Sequence, residues 1–488
     1  MRQRAVAATL WSGAEVLLRQ GLLFVVAIVL ARLLDPAEIG VVATLALFLG
    51  VGSVLIDGGL SIALLQRQDI DHVDESTVFW FNLALGAAVA LALAAMAPFL
   101  SAFFELPLLL EITPVMASTV FFASLGSIHA ALINKRLEFR RLLVINVAAA
   151  VLAGVTAVLL ALHGAGAWAL VGQALVTSIA TSALLWMVDS WRPSWVFSRT
   201  SLRKLSEFGG FHLASTLLEA IYSRLYTVLI GRWFGARELG YYANADATQK
   251  MPARLLSGVL LRAAFPLFAE AAQQPERLRR GLQVAVRGSM VANAPIMLGT
   301  AAVAEPLVRV IFGERWLPAA PVLAVLCLAG SLFPVQSLNV HVLMAQGRSR
   351  QMFKMEVLKK TVGVALMLCG SLFGLLGIAW SQVVAALFAL VVNTLYSERL
   401  LSYGLRAQVR DFLPPWLAAA LMAVAVAALQ RAWPWTGTSS AGLLVLVGFG
   451  ALVFVALALA SRMRALSDVL LLVRRSTSAV SKSDEPSI

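Results

Sequence analysis

Between Leu83 and Leu100 the chain runs LALGAAVALALAAMAPFL without one polar side chain. As a helix this stretch is long enough to approach the ~30 Å hydrocarbon core of a bilayer at about 1.5 Å per residue. The pattern recurs. Apolar stretches parted by short polar breaks centre on residues 10–33, 39–64, 78–101, 110–132, 142–162, 167–188, 206–233, 240–267, 284–304, 318–344, 356–374, 377–398, 412–431 and 441–460. They are apolar on every face, whereas the strands of a membrane barrel alternate over about ten residues. Charged residues make up only 13% of the chain, too few to coat a soluble surface. The expected fold is an all-α integral membrane protein with about fourteen transmembrane helices. Arg19 interrupts the first stretch and no small-residue cleavage pattern follows it, so this stretch reads as a helix and not as a signal peptide.

The net charge of +13 would suggest a nucleic-acid partner in a soluble protein, but its placement points elsewhere. With both termini on the cytoplasmic side, twenty-eight of the 39 basic residues fall in inner loops. Only Arg32, Arg232, Arg237, Arg309, Arg315 and Arg431 fall in outer ones. This is the asymmetry of membrane proteins, and it needs no nucleic acid.

A repeat organises the chain. ARLLDPAEIGVV (31–42) aligns without a gap on GRWFGARELGYY (231–242), which places Arg32 on Arg232, Glu38 on Glu238 and Gly40 on Gly240. Each copy closes one apolar stretch and opens the next, six stretches apart, so both cross in the same direction. That is the parallel repeat found in some transporters. A weaker echo pairs GAGAWAL (164–170) with GLLGIAW (374–380). The expected organisation is a six-helix bundle over 1–190, a cytoplasmic linker over 191–205 and a second bundle over 206–400. Two additional helices follow over 401–460, then an interfacial helix and a disordered tail over 461–488.

Five segments in order, VLARLLDPAEIGVVA, STVFWFNLALG, LIGRWFGARELGYY, QQPERLRRGL and GERWLPAAPVL, resemble the polysaccharide transporters of the multidrug/oligosaccharidyl-lipid/polysaccharide exporter superfamily. The likeness runs from about residue 5 to residue 400 and is nearest to the branch that handles exopolysaccharide and lipopolysaccharide repeat units. It implies a flippase of the bacterial inner membrane. Its cargo would be an oligosaccharide on a lipid diphosphate of the undecaprenyl type, with a polysaccharide polymerase and export complex as further partners beside membrane lipids. Many members carry an acidic residue shortly before LIGR, where this chain has Tyr226 and Thr227. Ion coupling through that carboxylate is therefore not implied.

Ionisable groups inside spans are costly in lipid and usually face a cavity or a partner. Arg19 lies about 14 Å down the first helix from Leu10, with Glu15 one turn earlier. Glu219 falls on Arg19 at the repeat offset, and Arg224 is similarly deep. Asp246, Lys250 and Arg254 follow at intervals of four, forming one polar stripe on a helix. Arginine and lysine suit phosphate oxygens, so Arg19, Glu219, Arg224, Lys250 and Arg254 are candidates to bind the cargo in a central cavity. Asp57 and Asp246 are candidates for ion coupling. The alternative is that Glu15–Arg19, Glu219–Arg224 and Asp246–Lys250 are internal ion pairs that fix packing, and that Asp57 caps a helix break.

Other signals are weak. DIDHVDES (69–76) holds a D-x-D and a histidine, but acidic and serine residues there also suit a helix start. His129, His163, His212 and His341 stand singly, and Cys327 and Cys369 lie in apolar windows. No P-loop, HExxH or nucleophile elbow is present, so neither catalytic residues, nor a bound metal, nor a cofactor is expected. Two other functions compete with the flippase: a multidrug or cation antiporter of the same superfamily, and a membrane glycosyltransferase or polymerase. The antiporter should have a more acidic cavity. The transferase should carry a large outer loop with carboxylates, and no outer loop here exceeds about twenty residues. The topology is testable with single cysteines: a membrane-impermeant thiol reagent added to intact cells should label position 315 and spare position 350. The reverse pattern would invert the assignment of sides.

Overall fold

A computed structural model describes residues 2–57, 64, 70–271, 274–346 and 348–461. All regular structure among them is helical. In the first half the helices are α1 (Arg2–Leu33), α2 (Pro36–Thr44), α3 (Ala46–Asp57), α4 (His72–Ala95), α5 (Ala97–Phe104), α6 (Leu109–Lys135), α7 (Phe139–Leu162) and α8 (Trp168–Val188). The long α9 (Arg199–Glu270) is followed by α10 (Pro275–Ala302), α11 (Ala304–Ile311), α12 (Ala319–Ser331), α13 (Phe333–Ala345), α14 (Ser349–Ser371), α15 (Gly374–Leu401), α16 (Leu405–Ala432) and α17 (Ser440–Ala460). Among the described residues, nine spans are long and apolar enough to cross a bilayer, or up to eleven if the bent pairs α2–α3 (41°) and α10–α11 (74°) each count once. The full count of fourteen is not reached by this measure. The remaining stretches, 206–233, 240–267 and 356–374, are helical, but their helices carry Glu219, Arg224, Asp246, Lys250, Glu356, Lys359 and Lys360. The interfacial helix expected after residue 461 lies outside the described residues, as do the side chains of Asp57, His212 and Arg254.

The chain forms two compact units, Met1–Ala243 and Asn244–Ile488. In the first, both copies of the repeat break their helix at the aligned place, by different means. Asp35 caps α2 by accepting from the Ala37 amide at 3.0 Å, while Glu38 Oε2 accepts from the Asp35 amide at 2.8 Å. With Pro36 opening the helix, this is a reciprocal capping box. In the second copy Gly235 (φ 82°) breaks α9, a conformation open to glycine at little steric cost.

Just past these breaks the two copies touch each other. A Cβ on Gly40 would lie 1.7 Å from the carbonyl oxygen of Ala236, and one on Gly240 would lie 1.9 Å from that of Pro36. Residues 36 and 236, like 40 and 240, are aligned partners, so the contact is reciprocal: each copy sets its glycine on the other's first turn. Val41, Leu45, Leu100, Phe104, Ile112 and Ala236 are buried together around it. Lipid supplies no hydrophobic drive between helices, and small residues gain contact by letting backbones approach.

In the second unit α10 presents Leu278, Leu282, Val286, Met290, Ala294 and Leu298 as a buried seam. The seam clusters with Phe412, Ala418, Ala419, Met422 and Val426 of α16. A polar knot adds direction. Asn339 and Gln408 exchange hydrogen bonds at 2.9 Å in both senses, and Ser397 donates to Asn339, tying α13, α15 and α16. All three side chains are buried, where an unmet polar group is expensive.

The glycine crossing predicts opposite signs at different glycines. Gly40→Ala and Gly240→Ala should each destabilise the detergent-solubilised protein by ~1–3 kcal/mol or more through overpacking. Gly50→Ala, with nothing within 4 Å of its Cβ, should be neutral or gain about 0.5–1 kcal/mol of helix stability. Thermal unfolding of the three variants checks this, and equal melting temperatures would remove the crossing.

Candidate functional site

The breaks in the repeat carry two ion pairs. Arg237 Nη2 lies 3.1 Å from Asp35 Oδ2, and Arg232 Nη1 lies 3.0 Å from Glu105 Oε1. The Asp35 carboxylate thus caps α2 and pairs with the other copy of the repeat, and its hydrogen bond raises the Arg237 guanidinium above its ordinary range.

Of the mid-span candidates, Arg19 sits beside Glu15, with Nε 3.2 Å from Oε1. Asn146 of α7 donates to the same oxygen at 2.9 Å, so Glu15 is held from a neighbouring helix. Arg19 Nε is buried and makes no hydrogen bond among the described residues, while the side chain as a whole is 40% exposed. The pair therefore rests on proximity. It neutralises charge without enclosing the guanidinium. Glu219 and Arg224 are both exposed on α9. Further along that helix Lys250 Nζ lies 2.8 Å from Asp246 Oδ2. Gln249, beside them on the helix, is buried against Gly330 and Met297. The Lys250 side chain remains 43% exposed. The structure thus forms two of the three proposed ion pairs, Glu15–Arg19 and Asp246–Lys250, and both keep a partly open cation.

The part of DIDHVDES from Asp71 onward serves the start of α4. Asp71 accepts from the Asp74 amide at 2.7 Å, and Glu75 accepts from the Trp191 indole at 2.6 Å.

Sequence reasoning missed Asp189. It terminates α8 and is wholly buried, accepting from Arg136 Nη1 at 2.8 Å and lying 3.2 Å from His129 Nδ1. Trp186 and Trp191 close over the histidine ring. Burial pushes the Asp189 carboxyl up, but the hydrogen bonds from Arg136, His129 and the Trp191 amide outweigh it and hold it below the usual carboxylate range. Sixty residues separate His129 from Asp189, so no local pattern joined them; the one available signal was a lone aspartate directly after an apolar helix. A comparable cluster forms in the second unit. Asp411 accepts from Arg287 Nε at 2.8 Å and from the Tyr403 hydroxyl at 2.7 Å. Burial, then that carboxylate, pushes the Tyr403 phenol well up.

These features define a multi-pass α-helical membrane protein that keeps partly open cations within its helices. A family model described as "Polysaccharide biosynthesis protein" matches residues 29–321, more than half of the chain, and the protein belongs to that family. Among relatives, it is 28% identical over 384 residues to the teichuronic acid biosynthesis protein TuaB of Bacillus subtilis, covering 76% of this chain and 77% of that one. It is 29% identical over 416 residues to the succinoglycan biosynthesis transport protein ExoT of Rhizobium meliloti, covering 83% and 82%. Among solved structures, the fold is similar to that of the lipid II flippase MurJ in an inward closed conformation, with a TM-score of 0.73 and 13% identity over 95% of this chain and 99% of that one. It is also similar to an inward-facing multidrug resistance transporter of the MATE family, with a TM-score of 0.65 and 16% identity over 78% and 94%.

The Asp189 cluster predicts acid sensitivity with a defined sign. Because the folded carboxyl titrates below its unfolded value of about 3.9, its stabilisation is fully present above that pH and disappears as pH falls through the folded value. Asp189→Asn removes the charge partner of Arg136, whose side chain is 40% exposed; it should cost about 1–3 kcal/mol at neutral pH through the weakened buried hydrogen bonds and should flatten the acid limb of stability. Chemical unfolding followed from pH 7 to pH 3 checks both effects.

Proposed function

We propose that the protein is a flippase of the bacterial inner membrane. It moves oligosaccharide repeat units linked to a polyprenyl diphosphate of the undecaprenyl type from the inner to the outer leaflet, for lipopolysaccharide or exopolysaccharide biosynthesis. The observation that carries this reading is family membership. The relatives alike over most of both chains are named for the biosynthesis of teichuronic acid and succinoglycan, one of them as a transport protein. The likeness of fold to a lipid II flippase agrees with it. The fold by itself does not choose the cargo, since a multidrug transporter shares it.

In this reading no bond is made or broken, so the protein is not an enzyme. The lipid tail stays in the bilayer while sugar and diphosphate follow a path lined by Arg19, Glu219, Arg224, Lys250 and Arg254. Access alternates between the two sides of the membrane. A diphosphate takes charge-assisted hydrogen bonds from lysine and bidentate ones from arginine. It can displace Asp246 from Lys250, and Asp246 or Asp57 then has the chance to exchange a proton or cation. Two six-helix bundles, 1–190 and 206–400, make up the transporting body, with 191–205 as a cytoplasmic linker, 401–460 as two extra helices and both termini in the cytoplasm.

Lys250→Gln with Arg254→Gln is the deciding variant. It should insert and accumulate normally yet lose polysaccharide export, with lipid-linked repeat units building up on the inner leaflet. If the pair serves packing instead, Asp246→Asn alone should be equally damaging and the protein itself should be lost. Normal export by the double variant at normal abundance would overturn the assignment of these residues.

A further inference from the structure

In the second unit α15 and α17 end where α10 and α16 begin, and a cavity of about 800 Å³ opens at that shared end. Arg279 and Arg287 of α10 and Arg406 and Arg410 of α16 line it, with Glu398 and Asp411 as its carboxylates. The charges do not cancel. Asp411 is already engaged by Arg287 and by the Tyr403 hydroxyl, and Glu398 is packed against Gly404, whose Cβ would lie 2.5 Å from its Oε2. Among the described residues, no carboxylate pairs with Arg279, Arg406 or Arg410. Four guanidinium groups facing two carboxylates, one of them spoken for, make a site that favours an anion. Guanidinium forks in turn suit phosphate oxygens.

The surroundings say what kind of anion. The cavity lies at the ends of the apolar spans α15, α16 and α17, at the level where headgroups lie. From it, α16 carries Leu413, Leu417, Leu421 and Val424 outward-facing at 37%, 47%, 58% and 67% exposure. Their spacing puts them on one face of the helix. A cationic chamber with an apolar stripe leading away from it complements an amphiphile with a phosphate head. Basic pockets between membrane helices are known to take such headgroups.

We propose that this cavity binds the phosphate headgroup of an anionic phospholipid, whose acyl chains lie along Leu413, Leu417 and Leu421. The site is separate from the stripe at Asp246 and Lys250 and does not depend on the flippase reading. By the charge asymmetry of the loops it faces the cytoplasmic leaflet.

The test uses the full chain in detergent, with thermal unfolding followed as lipid is titrated. Phosphatidylglycerol should raise the melting temperature saturably, and added salt should weaken the effect. Phosphatidylcholine with the same chains, and inorganic phosphate alone, should leave it unchanged. Arg406→Gln with Arg410→Gln should raise the half-saturating phosphatidylglycerol at least tenfold. Both arginines are exposed, so the fold should survive, which circular dichroism checks; Arg406→Gln alone is the milder second variant, expected to raise it severalfold. Undiminished phosphatidylglycerol binding by both variants would overturn the proposal. So would equal stabilisation by phosphatidylcholine, or a full effect from inorganic phosphate, which would make the cavity a free-phosphate site. Saturable binding of undecaprenyl diphosphate with no response to phosphatidylglycerol would assign the cavity to cargo and likewise overturn it.

Discussion

The first unit turns on a contact in which side chains are absent. At Gly40 and Gly240 the carbonyl of the opposite copy stands where a Cβ would be. In water such a crossing would compete with burial of larger apolar groups. In lipid that competition disappears, because a leucine gains nothing by leaving hydrocarbon for protein, and close backbone approach becomes the available source of contact energy. The two helix breaks follow from the same demand. A glycine can rest on the partner's first turn only if each helix ends and restarts at the right place, and Asp35 with Pro36 does for one copy what the positive φ of Gly235 does for the other. Charge then guards the register through Asp35 to Arg237 and Glu105 to Arg232. These pairs are exposed and contribute orientation more than stability.

Two cations within the helices share one pattern. Whereas Lys359 is largely covered beside Glu356 and Asn393, Arg19 and Lys250 are each given one acidic neighbour a turn away but are not sealed. Such an arrangement holds down the cost of an ion in the membrane while leaving the cation able to change partners. Asp189 and Asp411 are built differently. Asp189 is buried and Asp411 is largely covered, and each takes hydrogen bonds from two side chains, which locks helix ends in place. The contrast separates cations left partly open from carboxylates locked between helices, and it could not be drawn from residue types alone.

Much of the fold was legible. The lack of polar residues over Leu83–Leu100 calls for helix, although the chain divides the stretch at Met96 between α4 and α5, and the gapless match of 31–42 with 231–242 announced the repeat. Mid-span Arg19 and Lys250 stood out because ions are rare in such surroundings, and their i,i+4 acidic partners are a matter of helix geometry. The Asp71 cap was equally local. What stayed hidden was pairing across distance: Asn146 with Glu15, His129 with Asp189, Asn339 with Gln408 and Arg287 with Asp411 are 131, 60, 69 and 124 residues apart. Each depends on which helix faces lie together, and stretches that are apolar all round carry no amphipathic moment to reveal that.

The sequence by itself determined that this chain is a helical membrane protein, that the segment 31–42 recurs at 231–242, and which cations stand inside its apolar stretches. These follow from hydropathy, alignment and charge, all properties of residues taken one segment at a time. Tertiary structure alone decided that the duplicated glycines meet each other, that Gln249 is buried while Lys250 beside it stays partly open, and that four arginines from two separate helices share one cavity. The physical reason is that in hydrocarbon the burial of apolar surface no longer says which side of a helix faces inward. Steric fit between backbones and the need to partner buried polar groups make that choice, and both are settled only when the helices come together.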